Sequence, residues 1–295
     1  MAKAMVIINP TSGKEQGVKY GQMLQQKLAS TYTVDLRETA GEGDATRFAR
    51  EACEAHYDLV VLVGGDGTVH EGIEGLAEQA HRPKVAVVPL GTVNDFARAL
   101  NIPLDAEQAI DIIGERTKMV DVGKVNDRYF MNLVAVGEVP QAIGDVSIEQ
   151  KTAIGAFAYF FEGVKAAVAN DTFHLRVTYD TGEFEGETML FLIALTDSVA
   201  SFRTISEEAL VNDGYMHCYV VKAGSLLDTA RILTTLFTGD FQDDASIEYF
   251  RAKRVQIEAN TPLSLNIDGD MLSELPATFT VLPRHLELFY GIEMT

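Results

Sequence analysis

Apolar residues in the first 120 positions fall in short solid blocks separated by longer amphipathic stretches. Ala4–Ile8, Thr33–Leu36, Leu59–Val63 and Val85–Val88 are short and rich in Val and Ile, as buried strands are. Between them, 15–29, 44–55 and 69–80 carry helical spacing. Strand-helix alternation predicts an α/β domain: a doubly wound, mostly parallel sheet with helices on both faces. Such sheets take ligands in the loops beyond the carboxyl ends of their strands. After Asp121 the pattern changes. Strand-like segments follow one another at 129–136, 173–179, 188–195, 216–221, 255–258, 263–267 and 279–282, and helical spacing recurs mainly at 148–169 and 226–237. Short strands with Gly, Asp and Pro turns predict a mainly antiparallel β-sandwich. The domains are expected at 1–124 and 125–295, with the last ~10 residues packing back on the first domain.

A length of 295 residues agrees with two domains. The formal charge of −19, from 24 basic and 43 acidic residues, argues against nucleic acid as a partner, because a phosphate backbone would be repelled. Anionic lipid surfaces are disfavoured for the same reason unless a local basic patch or divalent cations intervene. The longest apolar run, Met189–Leu195, falls far short of the roughly 18 residues that cross a bilayer. The opening Met1–Asn9 is too short for a secretory signal. Cys53 and Cys218, far apart and in no ligand spacing, suggest a reducing cytoplasm and no disulfide framework.

Three loops that follow predicted strands share one chemistry. They are Asn9-Pro10-Thr11-Ser12-Gly13-Lys14, Gly64-Gly65-Asp66-Gly67-Thr68 and Pro89-Leu90-Gly91-Thr92-Val93-Asn94-Asp95. Each offers small residues, hydroxyls and backbone N–H groups just before a helix start, which suits phosphate oxygens. Singly, each is also ordinary turn and N-cap chemistry. Three at one sheet edge point to a nucleotide. Asp66 would repel phosphate unless Mg²⁺ lies between them. The loops are neither a Walker A sequence nor a dinucleotide fingerprint, since no Gly stands five residues before Gly13 and His70 takes the place of a third Gly.

Together with Thr39, Gly43-Asp44-Ala45, Asp121-Val-Gly, Tyr129-Phe-Met-Asn132, Lys151-x3-Gly155-x2-Ala158-Tyr159, Asn212-Asp213-Gly214-Tyr215 and Asn266-Ile-Asp268-Gly269-Asp270, these segments resemble the soluble bacterial diacylglycerol kinases. That lipid-kinase family shares its nucleotide fold with NAD kinases and phosphofructokinases. The resemblance implies ATP in a cleft between the domains, contacted by Asn9, Pro10, Thr11, Ser12, Gly13, Thr39, Gly65, Asp66, Gly67, Thr68, Val69, His70, Glu71 and Thr92. It implies Lys14 as a phosphate partner and Asp66 and Asp121 as organisers of the catalytic Mg²⁺. Asp121 reads otherwise as a turn residue at a strand end. A second, structural Mg²⁺ is implied on the Asp213 carboxylate and the backbone oxygens of Leu210 and Tyr215, where an Asn-Asp-Gly turn is also good local chemistry. The acceptor is expected to be diacylglycerol at a membrane surface, met peripherally and transiently by a cytoplasmic protein. A homodimer is also implied.

Two positions depart from the family. Its general base is a Glu in an Asp-Gly-Glu turn, and here the matching residue is Asp270. The side chain is one methylene shorter, withdrawing the carboxylate by about 1–1.5 Å, and a misplacement of about 1 Å can cost about 10²-fold in rate. Glu162 stands where close relatives have Lys. The apolar spacing of Ile154, Phe157, Phe160, Phe161, Val164 and Val168 suits core more than a membrane face. The expected activity is Mg²⁺-dependent transfer of the ATP γ-phosphate to diacylglycerol, giving phosphatidic acid. Alternatives are a sphingosine- or ceramide-type lipid kinase, an NAD kinase, or a catalytically weak nucleotide- or lipid-binding homologue.

Overall fold

The structure, a computed structural model, describes residues 1–137, 172–196, 198–199, 202–203, 210–224, 231, 235 and 244–292. The expected helix 148–169, the 151–159 motif and Glu162 lie outside the described residues, as does most of 226–237, of which Arg231 and Thr235 are helical. The chain divides into two compact units, Met1–Val122 with Arg284–Thr295, and Gly123–Pro283.

The first unit runs β1 (Ala2–Ile8), a short left-handed turn region α1 (Ser12–Glu15), α2 (Gly17–Leu28), β2 (Tyr32–Glu38), α3 (Asp44–Glu54), β3 (Leu59–Gly64), α4 (Asp66–Leu76), β4 (Lys84–Pro89), α5 (Asp95–Ala99), α6 (Ala106–Asp111) and β5 (Thr117–Val125), whose last residues belong to the second unit. Strands lie in the order β4-β3-β1-β2, all parallel. The register pairs Ile8 with Val63 and with Glu38, and Gly64 with Pro89, so the loops after these strands leave the sheet side by side. β3 is buried along its whole length, as a strand covered on both faces must be. Its Leu59, Val61 and Val63 pack with Val6, Ile8 and Val88 under Tyr20, Leu24 and Leu28 of α2. Each such aliphatic side chain contributes about 1.5–3 kcal/mol by leaving water.

The second unit continues with β6 (Arg128–Phe130), β7 (Leu133–Val136), β8 (Phe173–Tyr179), β9 (Gly182–Ala194), the short pair β10 (Ser198–Val199) and β11 (Phe202–Arg203), β12 (Met216–Lys222), β13 (Ile247–Ala252), β14 (Arg254–Ala259), β15 (Ser264–Ile267), β16 (Asp270–Glu274) and β17 (Ala277–Phe289). Among the described residues its strands pair antiparallel in the order β16-β15-β7-β9-β8-β14-β17, with β12 antiparallel beside β9 and β13 beside β12. Phe130, Phe191, Phe279 and Leu265 are fully buried in its core. The segment of β17 after Pro283 returns to the first unit, where Leu288 pairs in parallel with Val85. The expected α/β layer followed by a sandwich-like antiparallel domain is therefore what the chain forms.

Three local expectations differ. The helix expected from 15 starts at Gly17, because Gly13, Lys14 and Glu15 all have left-handed φ values near +60°. The helix expected over 69–80 is Asp66–Leu76: the loop glycines admit it at once, and Ala77 turns extended before Glu78 goes left-handed. The single strand expected over 129–136 is two, because the backbone N–H groups of Met131 and Asn132 are taken by the Asp268 carboxylate rather than by a ladder.

Candidate functional site

In the first unit the three Gly-rich loops are joined to one another by side chains. The backbone ladder carries over the strand ends, with N–H to O distances of 2.9 Å from Asn9 to Val63, 2.8 Å from Thr39 to Ile8 and 2.8 Å from Leu90 to Gly64. Asn9 then turns the first loop: its Oδ1 accepts from Thr11 N (3.1 Å) and Thr11 Oγ1 (2.9 Å), while its Nδ2 donates to Thr68 Oγ1 (3.3 Å) in the second loop. Lys14 and Glu15 sit in left-handed backbone without being glycine. Such strain costs about 1–3 kcal/mol per residue and is found where a loop has a task. Lys14 is exposed, with its ammonium available to an anion.

The second and third loops touch through their glycines. A Cβ on Gly91 would lie 2.8 Å from the Gly65 Cα and 2.7 Å from Asn94 Oδ1, closer than side-chain carbons come. Asn94 is the tie that sequence reading left unassigned within its motif. It is buried and left-handed (φ 54°), its side chain closes on Gly91 N and O at 2.9 and 2.8 Å, and its backbone N–H donates to Asp66 Oδ2 at 2.8 Å. That bond aims the Asp66 carboxylate from the start of α4 across to the third loop. The signal was visible in outline, since Asn is among the few non-glycine residues that tolerate left-handed backbone.

The other nucleotide-loop residues divide by exposure. Thr11, Gly67 and Thr92 are exposed, whereas Thr68, Val69 and His70 are buried along α4, and the Val69 N–H is taken by Gly65 O at 3.1 Å. Glu71 is engaged elsewhere: its Oε2 accepts from Ala45 N (3.1 Å) and its carbonyl from Thr46 Oγ1 (3.0 Å), so it holds the start of α3. Asp44 closes the preceding turn through Ala40 N and Gly41 N, and Arg47 beside it holds its carboxyl below the usual range. Asp121 lies inside β5 rather than at a strand end, is buried, and its Oδ1 accepts the backbone N–H of Arg284 (2.6 Å).

The second unit holds the remaining residues in two places. Asp213 stands in a tight turn, with its N–H 3.3 Å from Leu210 O and Gly214 left-handed. Its Oδ1 accepts from Tyr215 N (2.9 Å), and its Oδ2 from His217 Nε2 (2.8 Å), whose Nδ1 meets the Tyr249 hydroxyl at 2.8 Å. His217 is fully buried, and its part here went unseen because no ligand spacing marks it. A carboxylate and two backbone carbonyls are hard donors of the kind Mg²⁺ takes, and each Asp213 oxygen, with one hydrogen bond, keeps acceptor capacity, while among the described residues no group of three or more His, Cys, Asp and Glu gathers as a metal site. At the other place, Asp268 and Gly269 form the turn from β15 to β16, and Asp270 opens β16 with its side chain exposed.

Both cysteines are free and buried, and burial pushes the Cys53 thiol up to about 11 and raises the Cys218 thiol as well. Among the described residues no helix is long and apolar enough to cross a membrane.

Comparison with known proteins places two families along the chain. The family described as "Diacylglycerol kinase catalytic domain" matches residues 3–125, and "YegS C-terminal NAD kinase beta sandwich-like domain" matches residues 134–290. A protein of Staphylococcus epidermidis named diacylglycerol kinase is 40% identical over 291 residues, covering 97% of this chain and 92% of its own length. Its namesake from Staphylococcus haemolyticus is 39% identical over 299 residues, covering 99% and 91%. A solved structure titled as a diacylglycerol kinase of Bacillus anthracis superposes with a TM-score of 0.84 at 26% identity, covering 98% of this chain and 97% of that one. With two family profiles end to end and relatives near 40% identity, the chain belongs to the diacylglycerol kinase family of lipid kinases.

Proposed function

We propose that this protein is an ATP- and Mg²⁺-dependent diacylglycerol kinase that transfers the γ-phosphate of ATP to the free hydroxyl of diacylglycerol, giving phosphatidic acid and ADP. The observation that carries the reading is the joining of the three strand-end loops by Asn9 to Thr68, Gly65 to Gly91 and Asp66 to Asn94. Loops so fixed hold their shape at little cost when an anion arrives, and the start of α4 adds the positive end of its dipole. Lys14 neutralises phosphate charge from the first loop. Asp66 and Asp121 are the carboxylates that would hold the metal and its waters. When bound, the divalent ion takes up charge developing on the transferred phosphoryl group.

On the acceptor side Asp270 receives the hydroxyl proton as the oxygen bonds to phosphorus and the bond to ADP breaks. The Asp213 turn, with the Leu210 and Tyr215 carbonyls, would hold a second, structural ion. The lipid is met peripherally at a membrane surface, where an acceptor of this kind stays.

The test is a product survey. Labelled γ-phosphate is offered with diacylglycerol, sphingosine and ceramide in mixed micelles, and with NAD in solution. Label in phosphatidic acid alone is expected; label in another product would overturn the choice of acceptor. The shorter Asp270 favours a second reading, a homologue of low turnover. Under it an Asp270→Glu variant gains rate about 10-fold or more, as expected for a base brought about 1 Å closer.

A further inference from the structure

We infer that Asp268 is a positioning residue for turnover: its carboxylate pins the hairpin turn that presents Asp270 and affects the rate through Asp270. The inference rests on the reading of Asp270 as the proton acceptor. Ile267 and Asp270 are the last facing pair of β15 and β16, and the two residues between them both have positive φ, 50° at Asp268 and 105° at Gly269. A two-residue hairpin loop of this kind favours Asp-Gly for its backbone alone. The backbone does not explain what the Asp268 carboxylate does. Its Oδ2 accepts from Met131 N (2.8 Å), and its Oδ1 from Asn132 N (2.9 Å) and Leu133 N (3.0 Å). Its own N–H returns to Leu133 O at 2.9 Å. Four hydrogen bonds thus tie the turn to the link between β6 and β7, just past the ladder that pairs Ile267 with Val134. Gly269 N adds a bond to Asn266 Oδ1 at 3.1 Å.

Two carboxylates separated by one glycine therefore have opposite circumstances. Asp268 is committed to backbone donors, and hydrogen bonds from N–H to an ionised group are the stronger kind. Asp270 is exposed, and its carboxylate has no hydrogen bond among the described residues. Pinning also bears on the missing methylene at position 270. A turn held at five points has little freedom to shift its backbone forward, so the Asp270 carboxylate works from where Asp268 sets it.

A double-mutant cycle tests this. kcat with diacylglycerol and KM for ATP are measured for the wild type, Asp268→Asn, Asp270→Ala and the double variant. Asp268→Asn keeps the size but turns an acceptor toward the three N–H groups into a donor. Its kcat is expected to fall about 10²-fold, the scale of an approximately 1 Å misplacement, with KM for ATP unchanged. The double variant is expected to be no slower than Asp270→Ala alone, because groups acting through one another are not additive. If Asp268→Asn fails to fold, Gly269→Ala takes its place in the cycle. No atom lies within 4 Å of the added Cβ, so that change disturbs only the positive φ of the turn. Wild-type kcat in Asp268→Asn, or losses that multiply in the double variant, would overturn the positioning role while leaving the base in place. Asp270→Ala at the wild-type rate would instead overturn the base, and the inference with it.

Discussion

At the scale of single residues, the site is built by amide and carboxylate side chains that hold backbone. Asn9, Asn94 and Asp268 each use a short polar group to fix a loop, and Asp66 and Asp121 are each aimed by one backbone N–H, from Asn94 and Arg284. Asn94 allows a clean separation of conformation from bonding. Asn94→Gly keeps the left-handed backbone and loses the two side-chain bonds to Gly91, whereas Asn94→Ala loses both features. Thermal unfolding is expected to show Asn94→Ala as the less stable by about 1 kcal/mol, the cost of left-handed backbone for a residue with Cβ. ATP affinity is expected to fall in both. Equal stability would mean that φ at 94 relaxes freely. The sequence made the three strand-end loops legible, because Gly, Thr and Ser before a helix have a known use. It did not reveal Asp268 as a support, since its partners lie 135 to 137 positions away along the chain.

At the scale of elements, helix contact and strand return decide stability. Gly75 of α4 faces α3 so closely that a Cβ there would lie 2.3 Å from Thr46 O and 2.8 Å from the Ala49 Cβ. Gly→Ala inside a helix ordinarily stabilises by about 1 kcal/mol. Here overpacking against backbone reverses the sign, and Gly75→Ala is expected to destabilise by about 1–3 kcal/mol in denaturant titration. A stabilised variant would mean the two helices separate readily.

The return of β17 carries a pH dependence. Glu78 N–H donates to His285 Nε2 at 2.8 Å, which only an unprotonated Nε2 accepts. Burial, and the Arg82 charge after it, hold the His285 pKa below its ordinary 6.5. A depressed folded pKa means the contribution is complete above pH 6.5 and is lost as pH falls through the folded value. The melting temperature is expected to fall on acidification below pH 6.5, and His285→Gln is expected to remove that component. An unchanged pH profile in the variant would contradict it. Strand and helix types were legible from apolar blocks and spacing. Boundaries were less so, because the left-handed run at 13–15 and the Asp268 bonds at 131–133 interrupt elements whose residue types do not forbid continuation.

At the scale of the whole molecule, the chain is a parallel α/β unit and an antiparallel unit, joined by two passages of backbone, Val122 to Gly123 and Pro283 to Arg284. Asp121 and Arg284 flank those passages and bond to each other within the first unit. The net charge of −19 leaves cations to be placed with care, and several are neutralised locally, as in Arg47 with Asp44 and Glu51, Arg176 with Glu185, and Arg231 with Asp244. Lys14, exposed in the first loop, has no such carboxylate among the described residues, and under the proposed activity its partner is phosphate. The three loops forming one triphosphate site is the claim on which the activity depends. Calorimetric titration of ATP with Mg²⁺ into the wild type and into Gly91→Ala tests it most directly. One saturable site in the wild type is expected, with at least about a 10-fold loss in the variant, because the added Cβ would meet Gly65 and Asn94 at once. Absence of binding in the wild type, or equal affinity in a folded Gly91→Ala, would contradict it.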